Sequence, residues 1–301
     1  MDGDAPTIAF VDALEDEDMA GKKVTRVTLY KMREEGVPIS WLTCSDYPTA
    51  VFMEEAGIEM ILVGDSASMT VYGNPDTMPI TMETLLGHTK AVRKGAPNAF
   101  LVGDMPFLSY HRSVEDAIWN AGRFMKEAGC DAVKLEGGVR VADKVRGMVN
   151  AGIPVIGHIG LTPQSSAMLG GFRVQGKDVE SAKLMLEDAK ALAEAGVMSI
   201  LLECVPTPVA QLIKRSVDVL VFGIGAGPDL DGQLLIVHDI LGLFQAFQPK
   251  FVKQYANLGK ASIDAFKEYI DDVRDGRFPQ KEHEYTMPEE EEKRLREMFD
   301  V

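Results

Sequence analysis

Short, nearly unbroken apolar runs recur along this chain, separated by segments in which apolar residues return every three or four positions. The runs are PISWLTCS, MILVGD, AFLVGD, AVKLEGG, PVIGHIG, SILLECV, VLVFGIG and LLIVHD. Strands apolar on both faces suit a parallel sheet covered by helices. The segments between them carry helix signals. VTRVTLYKMREEG predicts a short helix closing at Gly36. Ser113 with Asp116 reads as an N-cap and its third-position acid, and Val114, Ala117, Ile118, Ala121, Phe124, Met125 and Ala128 share one face before Gly129 ends the helix. Asp178 opens another, with Ala182, Met185, Leu186, Ala189, Leu192 and Ala193 on one side and Gly196 at its end. Thr207 before Pro208 is expected to cap a third.

Eight strands alternating with helices predict a closed (β/α)8 barrel, because none of the runs reads as an edge strand. An open doubly wound sheet is the alternative. Beyond the eighth run, ASIDAFKEYIDDVRDGRFP predicts an amphipathic helix stopped by Gly276 and Pro279. MPEEEEKRLREMF has helix propensity but little apolar face, as a tail or oligomer contact would. The expected organisation is an acidic arm over 1–24, a catalytic barrel with C-terminal helices over 25–285, and a charged tail over 286–301.

Composition narrows the function classes. A chain of 301 residues with 46% hydrophobic positions can bury a large core. Its formal net charge of -15 repels polyanions, so nucleic acid is not an expected partner. The cysteines, Cys44, Cys130 and Cys204, are too scattered for a disulfide framework and fit a reducing cytoplasm. No basic segment followed by an apolar stretch opens the sequence, and nowhere do about 18 consecutive apolar residues occur, so neither export by that route nor a membrane span is expected.

Four runs close on an acid: Asp65, Asp104, Glu136 and Glu203. Barrels place their chemistry at the carboxyl ends of their strands. Neighbouring strands lie about 4.8 Å apart, so Asp65, Asp104 and Glu136 could converge on a hard divalent cation such as Mg2+, which takes oxygen ligands. The plainer account is that each acid caps the following helix. Glu203, among SILLECV, has apolar surroundings that would raise its pKa and suit it to proton abstraction beside a carbonyl; a buried acid paired with a cation is the alternative. Lys134 shares a side with Glu136 by strand alternation and could bind a substrate carboxylate or serve as a counter-ion. His158 reads as a ligand, a hydrogen-bond donor or a structural group. HExxH and zinc spacing are absent, and GIGAG at 223–227 lacks the dinucleotide spacing.

The stretches LVGDSASMTVYGNPDTMPIT, HTKAVRKGAPNAFLVGDMPFLSY, AVKLEGG, GHIGLTPQS, GGFRVQGKD, LLECVP and FGIGAGPDLDGQLLIVHDILGL closely resemble the ketopantoate hydroxymethyltransferase family, from about residue 25 to 285. That resemblance implies a barrel of the phosphoenolpyruvate/pyruvate type. It implies one Mg2+ per subunit held by Asp65, Asp104 and Glu136, and a 2-oxo acid bound with help from Ser66, Asp104, Lys134 and His158. It further implies Glu203 as general base, 5,10-methylenetetrahydrofolate as cosubstrate, and a homodecamer. Two departures stand out: Cys44 and Ser45 occupy TCSDY where TAYDY is usual, and Ser68 stands where glycine is common. Rival readings are a related 2-oxo acid lyase or mutase, which would carry a KKCGH-type loop missing here, and a non-catalytic metal-binding barrel.

Overall fold

The computed structural model describes residues 21–299, so most of the expected acidic arm lies outside the described residues. Two compact units emerge, residues 21–237 with 249–252, and residues 238–248 with 253–299. In the first unit eight parallel strands close into a barrel: β1 (Ile39–Thr43), β2 (Met60–Val63), β3 (Phe100–Asp104), β4 (Ala132–Glu136), β5 (Val155–Gly160), β6 (Ser199–Glu203), β7 (Leu220–Ile224) and β8 (Gly232–Leu235). Each pairs with its sequence neighbours, and β1 closes the ring on β8 with Ile39 opposite Gly232 and Leu42 opposite Leu235. The open sheet is thereby excluded.

Alternation with period two divides each strand between barrel interior and helix layer. Trp41, Met60, Leu62, Phe100, Val102, Ala132, Ile156, Leu201 and Phe222 join one buried cluster, with the Trp41 and Phe222 rings edge to face at 5.2 Å. Continuing the same alternation toward the carboxyl ends brings Asp104, Lys134, Glu136, His158 and Glu203 inward. The lower barrel is thus sealed by apolar packing, and the upper barrel is lined by charge.

Capping follows the sequence closely at two helices. Ser113 accepts the Asp116 N–H ahead of helix Val114–Ala128, which buries Ala117, Ala121, Phe124 and Ala128 and ends at left-handed Gly129. Asp178 makes a reciprocal capping box with Ser181 ahead of helix Val179–Ala195, and Gly196 ends it at φ 96°. Two expectations need correction. Thr207 is the first residue of helix Thr207–Ser216, with Pro206 at the cap, so it makes no side-chain cap. The eighth strand stops at Leu235, because the Val237 N–H turns to Thr43 Oγ1 at 3.1 Å; His238 and Asp239 lie in the helical turn Val237–Ile240.

In the second unit, helices Leu258–Arg274 and Glu289–Phe299 have no buried residue, and Phe266, Tyr269 and Met298 are exposed. Among the described residues no helix is long and apolar enough to cross a membrane.

Candidate active site

The three acids expected to share an ion sit together at the mouth of the barrel and are nearly inaccessible: Asp65 is 5% exposed, Asp104 1% and Glu136 4%. Asp65 follows β2, and its N–H donates to Asp104 Oδ2 at 2.9 Å, which ties the ends of β2 and β3. Gly64 permits this approach, since a Cβ there would stand 3.6 Å from Asp104 Oδ2 and 3.2 Å from Ser66 Oγ. Ser66 is half-buried and its hydroxyl faces the same space.

Lys134 and His158 lie among these acids, both buried. Lys134 Nζ is 2.9 Å from Asp104 Oδ1 and 4.0 Å from Glu136 Oε1. Burial alone would lower the Lys134 pKa, but Asp104, Glu136 and Asp65 together outweigh it and hold the ammonium charged. His158 Nδ1 lies 3.3 Å from Lys134 Nζ and 3.5 Å from Glu136 Oε1, while Nε2 faces Glu203 Oε2 at 3.1 Å. Burial and Lys134 both disfavour a charged ring, yet Glu136 at one nitrogen and Glu203 at the other prevail and push the pKa up to about 9. Glu203 therefore has a cationic neighbour rather than the wholly apolar setting its strand suggests. Gly160, at φ 94°, lets β5 approach β6 there, since a Cβ would meet the Glu203 carbonyl at 2.3 Å.

Two residues that the strand-end pattern does not point to hold the acids in place. Gln164, on the turn Pro163–Ser165 after β5, donates its N–H to Glu136 Oε2 at 2.9 Å and its amide to Asp65 Oδ2 at 2.9 Å. Its Oε1 accepts the Tyr110 hydroxyl at 2.7 Å, and that hydroxyl in turn accepts the Glu136 N–H at 3.2 Å. Both residues occur in the stretches GLTPQS and MPFLSY, the only signal that could have found them.

Charge is not balanced at this mouth. Four carboxylates face one ammonium and one imidazole, and burial, then Glu136, push Asp65 up to about 6; burial likewise raises Asp104 to about 6 against the pull of Lys134. Asp104 Oδ1 and Glu136 Oε1 are buried without any hydrogen bond. Asp104 Oδ1 is engaged by the Lys134 ammonium alone, at 2.9 Å, and Glu136 Oε1 stands 4.0 Å from it. Unfilled, negatively charged oxygens are the donor set of a hard divalent cation. Among the described residues no group of three or more His, Cys, Asp or Glu side chains is drawn close enough to hold a metal ion as the protein stands.

The two departures of sequence do not reach this cluster through their side chains. Ser68 Oγ donates to the Asp76 carbonyl at 2.7 Å and accepts the Asn74 amide, bracing its own loop. Ser45 uses its carbonyl, 2.5 Å from His88 Nδ1.

Solved structures with this architecture include a phosphonopyruvate hydrolase complex with oxalate and Mg++, at TM-score 0.57 and 15% identity over 91% of this chain and 99% of that one. Another is 2,3-dimethylmalate lyase, a member of the PEP mutase/isocitrate lyase superfamily, at TM-score 0.55 and 13% identity over 92% and 96%. These likenesses show the fold alone, a closed parallel (β/α)8 barrel. Sequence relatives are nearer. The 3-methyl-2-oxobutanoate hydroxymethyltransferase of Moorella thermoacetica is 54% identical over 263 residues, 87% of this chain and 98% of its own. That of Syntrophobacter fumaroxidans is 55% identical over 85% of this chain and 91% of its own. The family model for ketopantoate hydroxymethyltransferase matches residues 23–281. With its barrel, its clustered strand-end acids and these relatives, the chain belongs to the ketopantoate hydroxymethyltransferase family of enzymes.

Proposed function

We propose that this enzyme moves a hydroxymethyl group from 5,10-methylenetetrahydrofolate to 3-methyl-2-oxobutanoate, giving 2-dehydropantoate, with Mg2+ held by Asp65, Asp104 and Glu136. Its family works in hydroxymethyl transfer of the pantothenate pathway; the donor, the ion and the residue roles belong to the present reading. The observation that carries it is the surplus of buried carboxylate beside Glu203, with Glu136 Oε1 lacking a hydrogen bond and Asp104 Oδ1 engaged only by Lys134.

When bound, the ion supplies Lewis acidity that draws electron density from a keto oxygen. Glu203, oriented by His158 at 3.1 Å, takes the proton from C3 of the oxo acid. Lys134, fixed in its charged form, binds the substrate carboxylate and offsets the negative charge that grows as that proton leaves. Ser66 adds a hydroxyl contact. Gln164 and Tyr110 keep Asp65 and Glu136 from rotating away while C3 attacks the one-carbon unit. Water is consumed over the whole reaction, and tetrahydrofolate leaves.

A homo-oligomer, decameric as in the family resemblance, belongs to the same reading. It is supported by helices Leu258–Arg274 and Glu289–Phe299, which bury no side chain and expose Phe266 and Tyr269. A cytoplasmic setting is supported by three unpaired cysteines. The test is turnover of both substrates by the purified chain with and without a chelator. Loss of 2-dehydropantoate formation on chelation, and its return with Mg2+, is expected. Activity surviving exhaustive chelation would overturn the metal assignment.

A further inference from the structure

Three loops rise from the reacting end of the barrel, each anchored within a few residues of a proposed active-site acid. The loop after β3 carries Tyr110, whose hydroxyl binds the Glu136 N–H, and next to it His111, whose ring lies 4.1 Å from that of Tyr110. The loop after β4 leaves Glu136 and reaches exposed Arg140 four residues on. The segment after β5 holds Met168 in the helical turn Ser166–Leu169 and Phe172 and Arg173 in the GGFRVQG stretch, and it is tied down where the Gln175 N–H donates to the carbonyl of Cys204, the neighbour of Glu203.

The rim these loops form has a definite character. Arg140 Nη1 lies 3.5 Å from Met168 Sδ, joining the second loop to the third, and the Arg173 guanidinium folds back over Gly170. Neither arginine has a carboxylate within 4 Å among the described residues, although the charge of Arg140 acts on Asp188, which accepts the Val139 N–H at 2.8 Å; Arg93, Arg112 and Arg123 are each paired. Burial, then the fields of Arg140 and Lys144, hold His111 below the usual imidazole pKa, and Lys144 is itself paired with Asp143 at 2.8 Å. The same loops carry large apolar side chains in water: Met168 is 77% exposed, Leu108 58% and Phe172 49%. Leu108 is held at φ 68°, a conformation a leucine adopts only under constraint.

We propose that Arg140 and Arg173, with Met168 and Phe172 as an apolar floor, bind the carboxylate-bearing glutamyl tail of the one-carbon carrier. This rests on the reading that the donor is a reduced folate. A polyanionic carrier approaching a chain of net charge -15 is repelled unless cations stand where it must land. Unpaired guanidinium groups offer carboxylates paired, directional hydrogen bonds, and the exposed Met168 and Phe172 give the aromatic body of the carrier a surface. The one-carbon unit must reach C3 beside Glu203, so the tail crosses this rim.

The test compares tetrahydrofolate carriers with one and with five γ-linked glutamates, in the full-length enzyme and in an Arg140→Gln/Arg173→Gln double variant. The wild type is expected to bind the longer carrier more tightly, with a Kd that rises as NaCl is added. In the double variant that preference vanishes, the Kd and KM for the long carrier rise about tenfold and the salt dependence flattens, while C3 proton exchange of the oxo acid without carrier is unchanged. Equal wild-type affinity for both carriers, or a double variant that keeps the preference, overturns the rim. A wild type that exchanges the C3 proton yet neither binds nor uses any folate overturns the donor reading itself, and this proposal with it.

Discussion

Asp131 and Asp231 stand just before β4 and β8, at the end of the barrel opposite the site, and their partners are matched to their charge. Asp131 Oδ2 accepts from Lys23, Arg93 and the Leu101 N–H. Asp231 accepts the Val221 N–H at 2.7 Å and faces Lys214 at 3.0 Å. At the reacting end, Asp65, Asp104, Glu136 and Glu203 share one lysine and one histidine, and two of their buried oxygens have no hydrogen bond. The same residue type thus serves two ends. Acids that hold the barrel together are satisfied within the chain, and acids left in surplus are held ready for something the chain does not contain.

Substitutions at the two ends should separate these roles. Glu203→Gln is expected to slow turnover by on the order of a hundredfold or more while the oxo acid and Mg2+ still bind, read from steady-state rates beside binding titrations. Near-normal turnover would remove Glu203 from the base role. Gln164→Ala, which frees Asp65 and Glu136 from their shared clamp, should weaken Mg2+ binding roughly 10- to 100-fold by calorimetric titration. An unchanged affinity would mean that the clamp does not serve the ion.

Asp231→Ala should cost roughly 1–3 kcal/mol in denaturant unfolding by stranding the Val221 N–H, with turnover per folded enzyme preserved. The smallest effect has the opposite sign. Asp65→Asn removes a buried charge from a like-charged cluster and should raise the Tm of metal-free protein by about 1–3 °C, while weakening Mg2+ binding. If Asp65→Asn and Asp231→Ala destabilise alike, the contrast between the two ends fails.

Much of the barrel was legible because local signals agreed with one another. The apolar runs marked the strands, and Ser113 with Gly129, and Asp178 with Gly196, marked two helices that form between those residues. The eighth strand was read too long because a side chain remote in sequence, Thr43, captures the Val237 N–H, and apolar content does not register such a competitor. Thr207 preceded a proline as caps often do, yet the helix begins one residue earlier than that reading, at Thr207 itself with Pro206 as its cap. At the site, strand alternation was enough to bring Asp104, Lys134, Glu136, His158 and Glu203 to one interior. Gln164 escaped because it reaches Asp65 across 99 residues from a loop, where no periodicity operates. A cationic partner for Glu203 stood only as the alternative reading, without a named residue, because the strand SILLECV is apolar along its length; His158 enters from the adjacent strand, with Gly160 opposite Glu203 in register.

Deuterium exchange at C3 of 3-methyl-2-oxobutanoate, followed by NMR with Mg2+ present and no carrier, tests the account most directly. Exchange that depends on enzyme, stops on chelation and falls at least about a hundredfold in Glu203→Gln is the expected result. No exchange in the wild type, or exchange indifferent to Glu203→Gln, would contradict the claim that the unfilled acids and Glu203 act together to make that carbon a nucleophile.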